Sequence, residues 1–258
     1  MEQNDTPHWS VSAFSCYLQC PMKYNFRYVE HAPVERTGVC LPFGRAYHAV
    51  LSERAVKGTD FVLTDAQESF AAHLKSETEA SENLVYKQDE TFDSCLQKGF
   101  DMLKVALENW QDDYAVKSVA ESFSVTVPKL HYPIIGEFDM VVTDGKDEAI
   151  VDWKTASAKW PAGKADRELQ ASVYCYAYRQ IYTLNPIFRY DVCTKTKQPT
   201  VSSWYTIRSS DELERLEWLV NRIERNVEAG VFYPNESVMN CGECPYRDRC
   251  KVEHRKWR

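Results

Sequence analysis

The chain contains no run of apolar residues approaching the length that crosses a bilayer, so no membrane span or membrane partner is expected. Its first ten residues, MEQNDTPHWS, carry neither the basic cluster nor the apolar stretch of a secretory leader, which points to the cytoplasm. Glycine is scarce, nine in 258 residues, and nowhere forms a G-x-x-x-x-G-K-[ST] loop, so no nucleotide-driven motor is expected here. No internal repeat, low-complexity tract or flexible linker divides the sequence. With 44% apolar side chains, residues 1–258 suit one domain with an ample core.

Two quantities are present in excess. The net charge of −7 is concentrated, because residues 60–122 carry 14 acids and 5 bases and leave +2 for the remainder. The tail 245–258 holds six Lys/Arg against two acids, so part of the molecule need not repel a polyanion. Nine cysteines are many for a reducing compartment, and an odd number does not close into disulfides; clustered cysteines there bind metal more often. Cys40, Cys95, Cys175 and Cys193 are scattered and read as core or surface thiols.

The periodicity alternates between helix and strand. Ser10 precedes a short capped helix ending near Pro21. A second helix is expected from about Leu41 to Lys57. Thr64 with Gln67 suggests a capping box for a helix over 65–80. Phe92, Leu96, Phe100, Leu103, Leu107 and Trp110 recur at helical steps. Residues 58–120 therefore read as an acidic helical insertion, a flap or wall beside the functional centre. From Glu121 the period becomes two, giving a strand and then a hairpin turning at Asp144–Asp147. Helix returns over 167–183, two strands over 188–207, and a capping box at Ser209 and Glu212 starts a helix that Gly230 stops.

The hairpin carries the chemistry. If Asp144–Asp147 is a four-residue loop, Thr143 faces Glu148, Asp139 faces Asp152, and Glu137 faces Lys154. Asp152 and Lys154 share a face because strand side chains alternate. Two carboxylates in opposed positions repel unless a cation lies between them, and hard oxygen donors select Mg²⁺ or Mn²⁺. Such an ion acidifies bound water and stabilises charge on a phosphoryl oxygen, and a nearby ammonium can orient that water. A solvated strand face is the plain alternative, but apolar neighbours (Ile134, Ile135, Val141, Val142, Ile150, Val151) argue for a buried sheet. Glu121, just before the first strand, and Glu137 are the weakest choices for a further acid at such a site.

G-E-F-D at 136–139 followed by D-W-K-T at 152–155 resembles motifs II and III of PD-(D/E)XK nucleases. F-G-R-A-Y-H at 43–48 resembles motif I of the RecB-like branch, and Q-A-S-V-Y at 170–174 its Q-x-x-x-Y motif. The resemblance implies an α/β, restriction-endonuclease-like fold with a central mixed sheet flanked by helices. It also implies metal-dependent DNA exonuclease activity. Asp139, Asp152, Lys154, His48 and Gln170 would be catalytic, with His48, Asp139 and Asp152 holding the Mg²⁺ or Mn²⁺ and Tyr174 touching nucleic acid or steadying Lys154.

C-G-E-C-P-Y-R-D-R-C places Cys241, Cys244 and Cys250 in one segment, 231–258. Cys20, also before a proline, is the candidate fourth ligand, with Cys16 one turn earlier as a substitute. Three C-terminal cysteines plus one N-terminal cysteine resemble the iron–sulfur staple of AddB-type and CRISPR-associated RecB-like exonucleases. That resemblance implies a [4Fe–4S] cluster tying the two ends of the fold. Zinc is the rival metal, although a zinc ribbon supplies two C-x₂-C knuckles and this chain has one. Arg247 and Arg249, with Lys251, Arg255, Lys256 and Arg258, would meet the DNA backbone.

The expected substrate is single-stranded or tailed DNA, handled alone or with a helicase, recombinase or integrase, in a nucleoid-associated setting. The competing readings are a non-catalytic iron–sulfur DNA-binding subunit of a repair or spacer-acquisition complex, and a zinc-binding interaction domain.

Overall fold

The computed structural model describes residues 7–111 and 113–256, with side chains described as far as Glu253. Ser10 caps α1 (Val11–Gln19), its hydroxyl accepting from the Ala13 N–H at 3.2 Å. Pro21 opens α2 (Pro21–Tyr24), where its missing N–H leaves no bond unmade, and the chain continues through a π-helical turn at Asn25–Val29. A short parallel pair, β1 (Thr37–Gly38) and β2 (Leu84–Val85), brackets two of the next three helices. These are α3 (Cys40–Lys57), α4 (Leu63–Glu79) and α5 (Phe92–Glu108).

The second half builds the sheet. It comprises β3 (Ala115–Val125), β4 (Ile134–Thr143), β5 (Glu148–Ala156), β6 (Ile187–Thr194) and β7 (Val201–Thr206), in that spatial order. Every neighbouring pair is antiparallel except β5–β6. A parallel pair needs a long crossover, and here α6 (Lys164–Arg167) and α7 (Leu169–Tyr182) supply it. Then come α8 (Ser210–Glu228), α9 (Val238–Cys241) and α10 (Arg247–Lys256).

Helices cover both faces of the sheet. On one face α1, α7 and α8 bury Phe14, Tyr178 and Leu216 against Phe138, Ile150 and Phe188. On the other, α3, α4 and α5 bury Tyr47, Phe70 and Met102 against Val142, Val151 and Trp153. The acidic segment 58–120 therefore contributes its apolar side to the core and turns its charge outward. Gly99 allows the closest approach of α4 and α5, since a Cβ there would lie 2.0 Å from Phe70 Cε1. A buried carboxylate, Glu224 of α8, fastens the first strand-like residues: it accepts from Trp9 Nε1 at 2.8 Å and from the His131 N–H at 2.9 Å. Among the described residues no helix is long and apolar enough to cross a membrane.

Two boundaries differ from expectation. Helix α4 is not capped by Thr64 and Gln67; its N-cap is Val62, whose N–H is satisfied by the Asp65 carboxylate at 3.2 Å, so an apolar residue serves. Strand β3 begins at Ala115, six residues before the alternation becomes visible, because its first half is an exposed edge with a bulge between Val116 and Ser118.

Candidate active site

The hairpin folds in the expected register: Thr143 pairs Glu148, Val142 pairs Ala149, and the ladder continues to Met140 with Val151. Its turn is closed by the Asp144 carboxylate, which accepts from the N–H groups of Lys146 and Asp147, both at 2.9 Å, while Gly145 takes φ +91°. The ladder stops one pair short of Asp139 and Asp152. There the Trp153 N–H donates to Asp139 Oδ2 at 3.0 Å, a side chain taking the place of a β4 carbonyl. Alternation in β4 resets at the same point, since Phe138 and Val141 enter the same core cluster while Met140 and Val142 enter the other. On β3, Ala120 takes φ +51° between the residues that pair with Phe138 and Met140. The strict opposition of Asp139 and Asp152, and of Glu137 and Lys154, is thus replaced by a parting of the strands.

Polar groups converge in that gap. Asp139 Oδ2 lies 3.2 Å from His48 Nδ1 on α3. Asp152, only 1% exposed, accepts from Gln170 Nε2 of α7 at 2.5 Å through Oδ1, and its Oδ2 lies 2.5 Å from Lys154 Nζ. That ion pair does not have hydrogen-bond geometry, so Asp152 Oδ2 remains a buried acceptor without a hydrogen bond. Burial pushes the Asp152 carboxyl up to about 6; Lys154 pulls it down and Asp139 pushes it further up. For His48, burial alone would lower the pKa, but the hydrogen bond and charge of Asp139 outweigh it and hold the imidazole above its ordinary 6.5. The His48 ring stands edge-on to Trp153, with centroids 6.1 Å apart.

This donor set fits a hard divalent cation. It comprises two carboxylates and an imidazole, one carboxylate oxygen is buried without a hydrogen bond, and the charge of Asp139 raises the Asp152 carboxyl, although the donor atoms of His48, Asp139 and Asp152 do not all lie within 4.8 Å of one another.

The remaining expected site residues divide. Tyr174 is buried with its ring edge-on to Phe123 and Phe138, and its hydroxyl, raised first by burial and then by the charge of Asp152, also bonds Gln170 and feels Asp139, so it borders the centre. Glu121 hydrogen-bonds Ser118 and Tyr182, and exposed Glu137 faces Ser122 at 3.4 Å, so neither joins the centre. Arg249 pairs with Glu30 at 2.5 Å and covers the Phe26 ring, while Arg247 lines a separate cavity near the cysteines. Arg258 lies outside the described residues, as do the side chains of Arg255 and Lys256.

That cavity, about 900 Å³, is lined by Cys20, Cys241, Cys244 and Cys250. The thiol of Cys250 is pushed up to about 11 by burial and then by its neighbours Cys20 and Cys244. Hydrogen bonds join the flanking segments: Met22 N to Tyr233 O at 3.0 Å, Asn235 Nδ2 to Gln19 O at 2.9 Å, and Glu35 to the N–H groups of Asp248 and Arg249. Among the described residues no three cysteine sulfurs lie within 4.8 Å of one another; the one such set of donors is His131, Glu224 and Glu228. A single zinc ion with bonds of about 2.3 Å needs thiolates roughly 3.8 Å apart. No such tetrahedron is preformed.

Two buried residues gave no sequence signal. Tyr190, buried on β6, places its ring 5.9 Å from Lys154 Nζ. Arg208 is buried next to α7. Neither lies in a motif: the parallel β5–β6 pairing brings Tyr190 opposite Asp152, and the crossover brings α6 and α7 to Arg208.

The strands of the mixed sheet thus part around an acidic pair with a lysine two residues on. The family model of the PD-(D/E)XK nuclease superfamily matches residues 8–251, and the chain belongs to that superfamily. Its fold is similar to a "Putative exonuclease" from Eubacterium rectale, with a TM-score of 0.56 and 15% identity over 90% of this chain and 85% of that one. A second solved structure, SSO0001, aligns over 90% of this chain and 92% of its own with 10% identity and a TM-score of 0.40. No curated protein sequence matches the chain.

Proposed function

We propose that the protein is a metal-dependent DNA exonuclease. The observation that carries this reading is the meeting of Asp139, Asp152, Lys154 and His48 where β4 and β5 part. Asp139, Asp152 and His48 would hold Mg²⁺ or Mn²⁺, which when bound supplies an acidified water and charge stabilisation at the scissile phosphate. Gln170 fixes Asp152 through Oδ1, while Oδ2, ion-paired with Lys154 but without a hydrogen bond, would face the cation. Lys154, about one-third exposed, lies 2.5 Å from Asp152 Oδ2, and its ammonium could orient a water or neutralise a phosphoryl oxygen. The trp indole and imidazole of Trp153 and His48 wall the inner side.

The four thiols around one cavity support an iron–sulfur cluster as a second cofactor. A cubane holds its thiolates farther apart than a single ion does, because each binds a different iron, and this suits sulfurs that do not close on one point. Its role would be to hold the N- and C-terminal segments together. The substrate is single-stranded or tailed DNA in recombination, repair, or phage or CRISPR DNA processing, in the cytoplasm beside the nucleoid, with a helicase, recombinase or integrase as possible partner.

The test uses end-labelled single- and double-stranded DNA with Mn²⁺ or Mg²⁺, then EDTA. Wild type should release short products from an end, and EDTA or Asp152→Ala should stop it. Cleavage that survives both would refute the reading. DNA binding without cleavage by wild type would favour a non-catalytic subunit.

A further inference from the structure

We infer that Arg208 is a positioning residue for the nuclease centre, setting the first turn of α7 so that Gln170 holds Asp152. This rests on the reading of Asp152 as a metal ligand.

Arg208 is 6% exposed and lies between β7 and α8. A guanidinium has five N–H groups, and the structure gives this one five acceptors. Nε donates to Ser172 Oγ at 2.8 Å. Nη1 donates to Thr206 Oγ1 at 2.5 Å and Ile207 O at 3.2 Å. Nη2 donates to Ala165 O at 3.1 Å and Glu168 O at 3.3 Å. The Thr206 hydroxyl in turn donates a hydrogen bond to Asp166 Oδ1 of α6 at 2.7 Å, which places a carboxylate one bond beyond the cation.

Two of those acceptors bracket Gln170: Glu168 is the N-cap of α7 and Ser172 lies one turn on. The α7 N-terminus has no side-chain cap of its own. A buried cation is poorly placed at a helix N-terminus, where the backbone dipole favours negative charge. A role in solubility does not explain a fully buried guanidinium, whereas a role in geometry does. Arg208 fixes the distance between the end of β7 and the first turn of α7, and Gln170, two residues into that turn, reaches Asp152 Oδ1 at 2.5 Å. Lysine cannot take over, because a single ammonium has three donors and no planar fork.

The test is a double-mutant cycle between Arg208→Lys and Gln170→Ala, read as the Mn²⁺ dissociation constant by calorimetry and as kcat and KM for single-stranded DNA. Ser172→Ala, which removes one of the five bonds, serves as the milder partner should Arg208→Lys not fold by circular dichroism. Loss of a group that orients a metal ligand costs about 10–100-fold in affinity or activity. Gln170→Ala should fall in that range, and Arg208→Lys should weaken Mn²⁺ about tenfold and lower kcat, with KM unchanged. In the Gln170→Ala background, Arg208→Lys or Ser172→Ala should add nothing further. If their effects multiply with that of Gln170→Ala, or if KM alone changes, Arg208 does not act through Gln170 and the proposal is overturned. If wild type neither cleaves DNA nor binds Mn²⁺, the nuclease reading fails and this proposal falls with it.

Discussion

Asp152→Asn should stabilise the metal-free protein while removing its activity. Asp152 is almost wholly buried, its Oδ2 has no hydrogen bond, and its carboxyl is pushed from 3.8 up to about 6, mainly by burial. A carboxyl whose folded pKa is raised contributes stability below its unfolded value and loses it as pH climbs through the folded one. Wild type should therefore lose stability between about pH 4 and pH 6, and that difference corresponds to about 3 kcal/mol at pH 8. The variant keeps a neutral group of the same shape and can still accept from Gln170 through Oδ1. In EDTA at pH 8 it should melt about 5–10 °C above wild type for a chain of this size, and the gap should close towards pH 4. Adding Mg²⁺ at a hundred times its Kd should raise wild type by about 2.7 kcal/mol and leave the variant unmoved, narrowing the gap. Differential scanning calorimetry across pH, with and without metal, checks this. A variant that melts at or below wild type at pH 8 in EDTA would refute the account of Asp152 as a costly buried charge.

Lys154→Ala should cut cleavage by about 10²–10³-fold. By removing the cation beside Asp152, it should also lower the melting temperature at pH 8 but not at pH 5, a pattern opposite to that of Asp152→Asn. Gly99→Ala forces a Cβ to 2.0 Å from Phe70 Cε1 and should cost about 1–3 kcal/mol by chemical denaturation, with α4 and α5 losing amide protection first. If the four cysteines hold the proposed iron–sulfur cluster, Cys241→Ala should lower solubility and melting temperature and bleach absorbance at about 400 nm. Unchanged thermal unfolding would remove the staple.

The chemistry of the site was largely legible because it rests on two short-range rules: a turn that sets register, and alternation that follows from it. Thr143 opposite Glu148 was readable from the Asp144–Asp147 loop alone. The next step was not. Nothing in G-E-F-D shows that Asp139 will take the Trp153 N–H and end the ladder, because that depends on where α3 places His48. The same limit hid Tyr190, which reaches the site through a parallel pairing, and Arg208, which meets the crossover helices only in the fold. Edge strand β3 was legible only in its buried half, since an exposed edge lacks the apolar alternation that marks a strand.

The outer sides of α4 and α5 carry Asp65, Glu68, Glu79, Asp93, Asp101 and Glu108, all exposed. Because the apolar sides of these helices are locked into the sheet, that charge cannot swing away. Those two helices thus present a fixed acidic surface, which would constrain the approach of a polyanion from that side. Raising the salt concentration would relax that constraint as well as weaken contact, so the orientation of approach, and not the affinity alone, becomes a function of ionic strength.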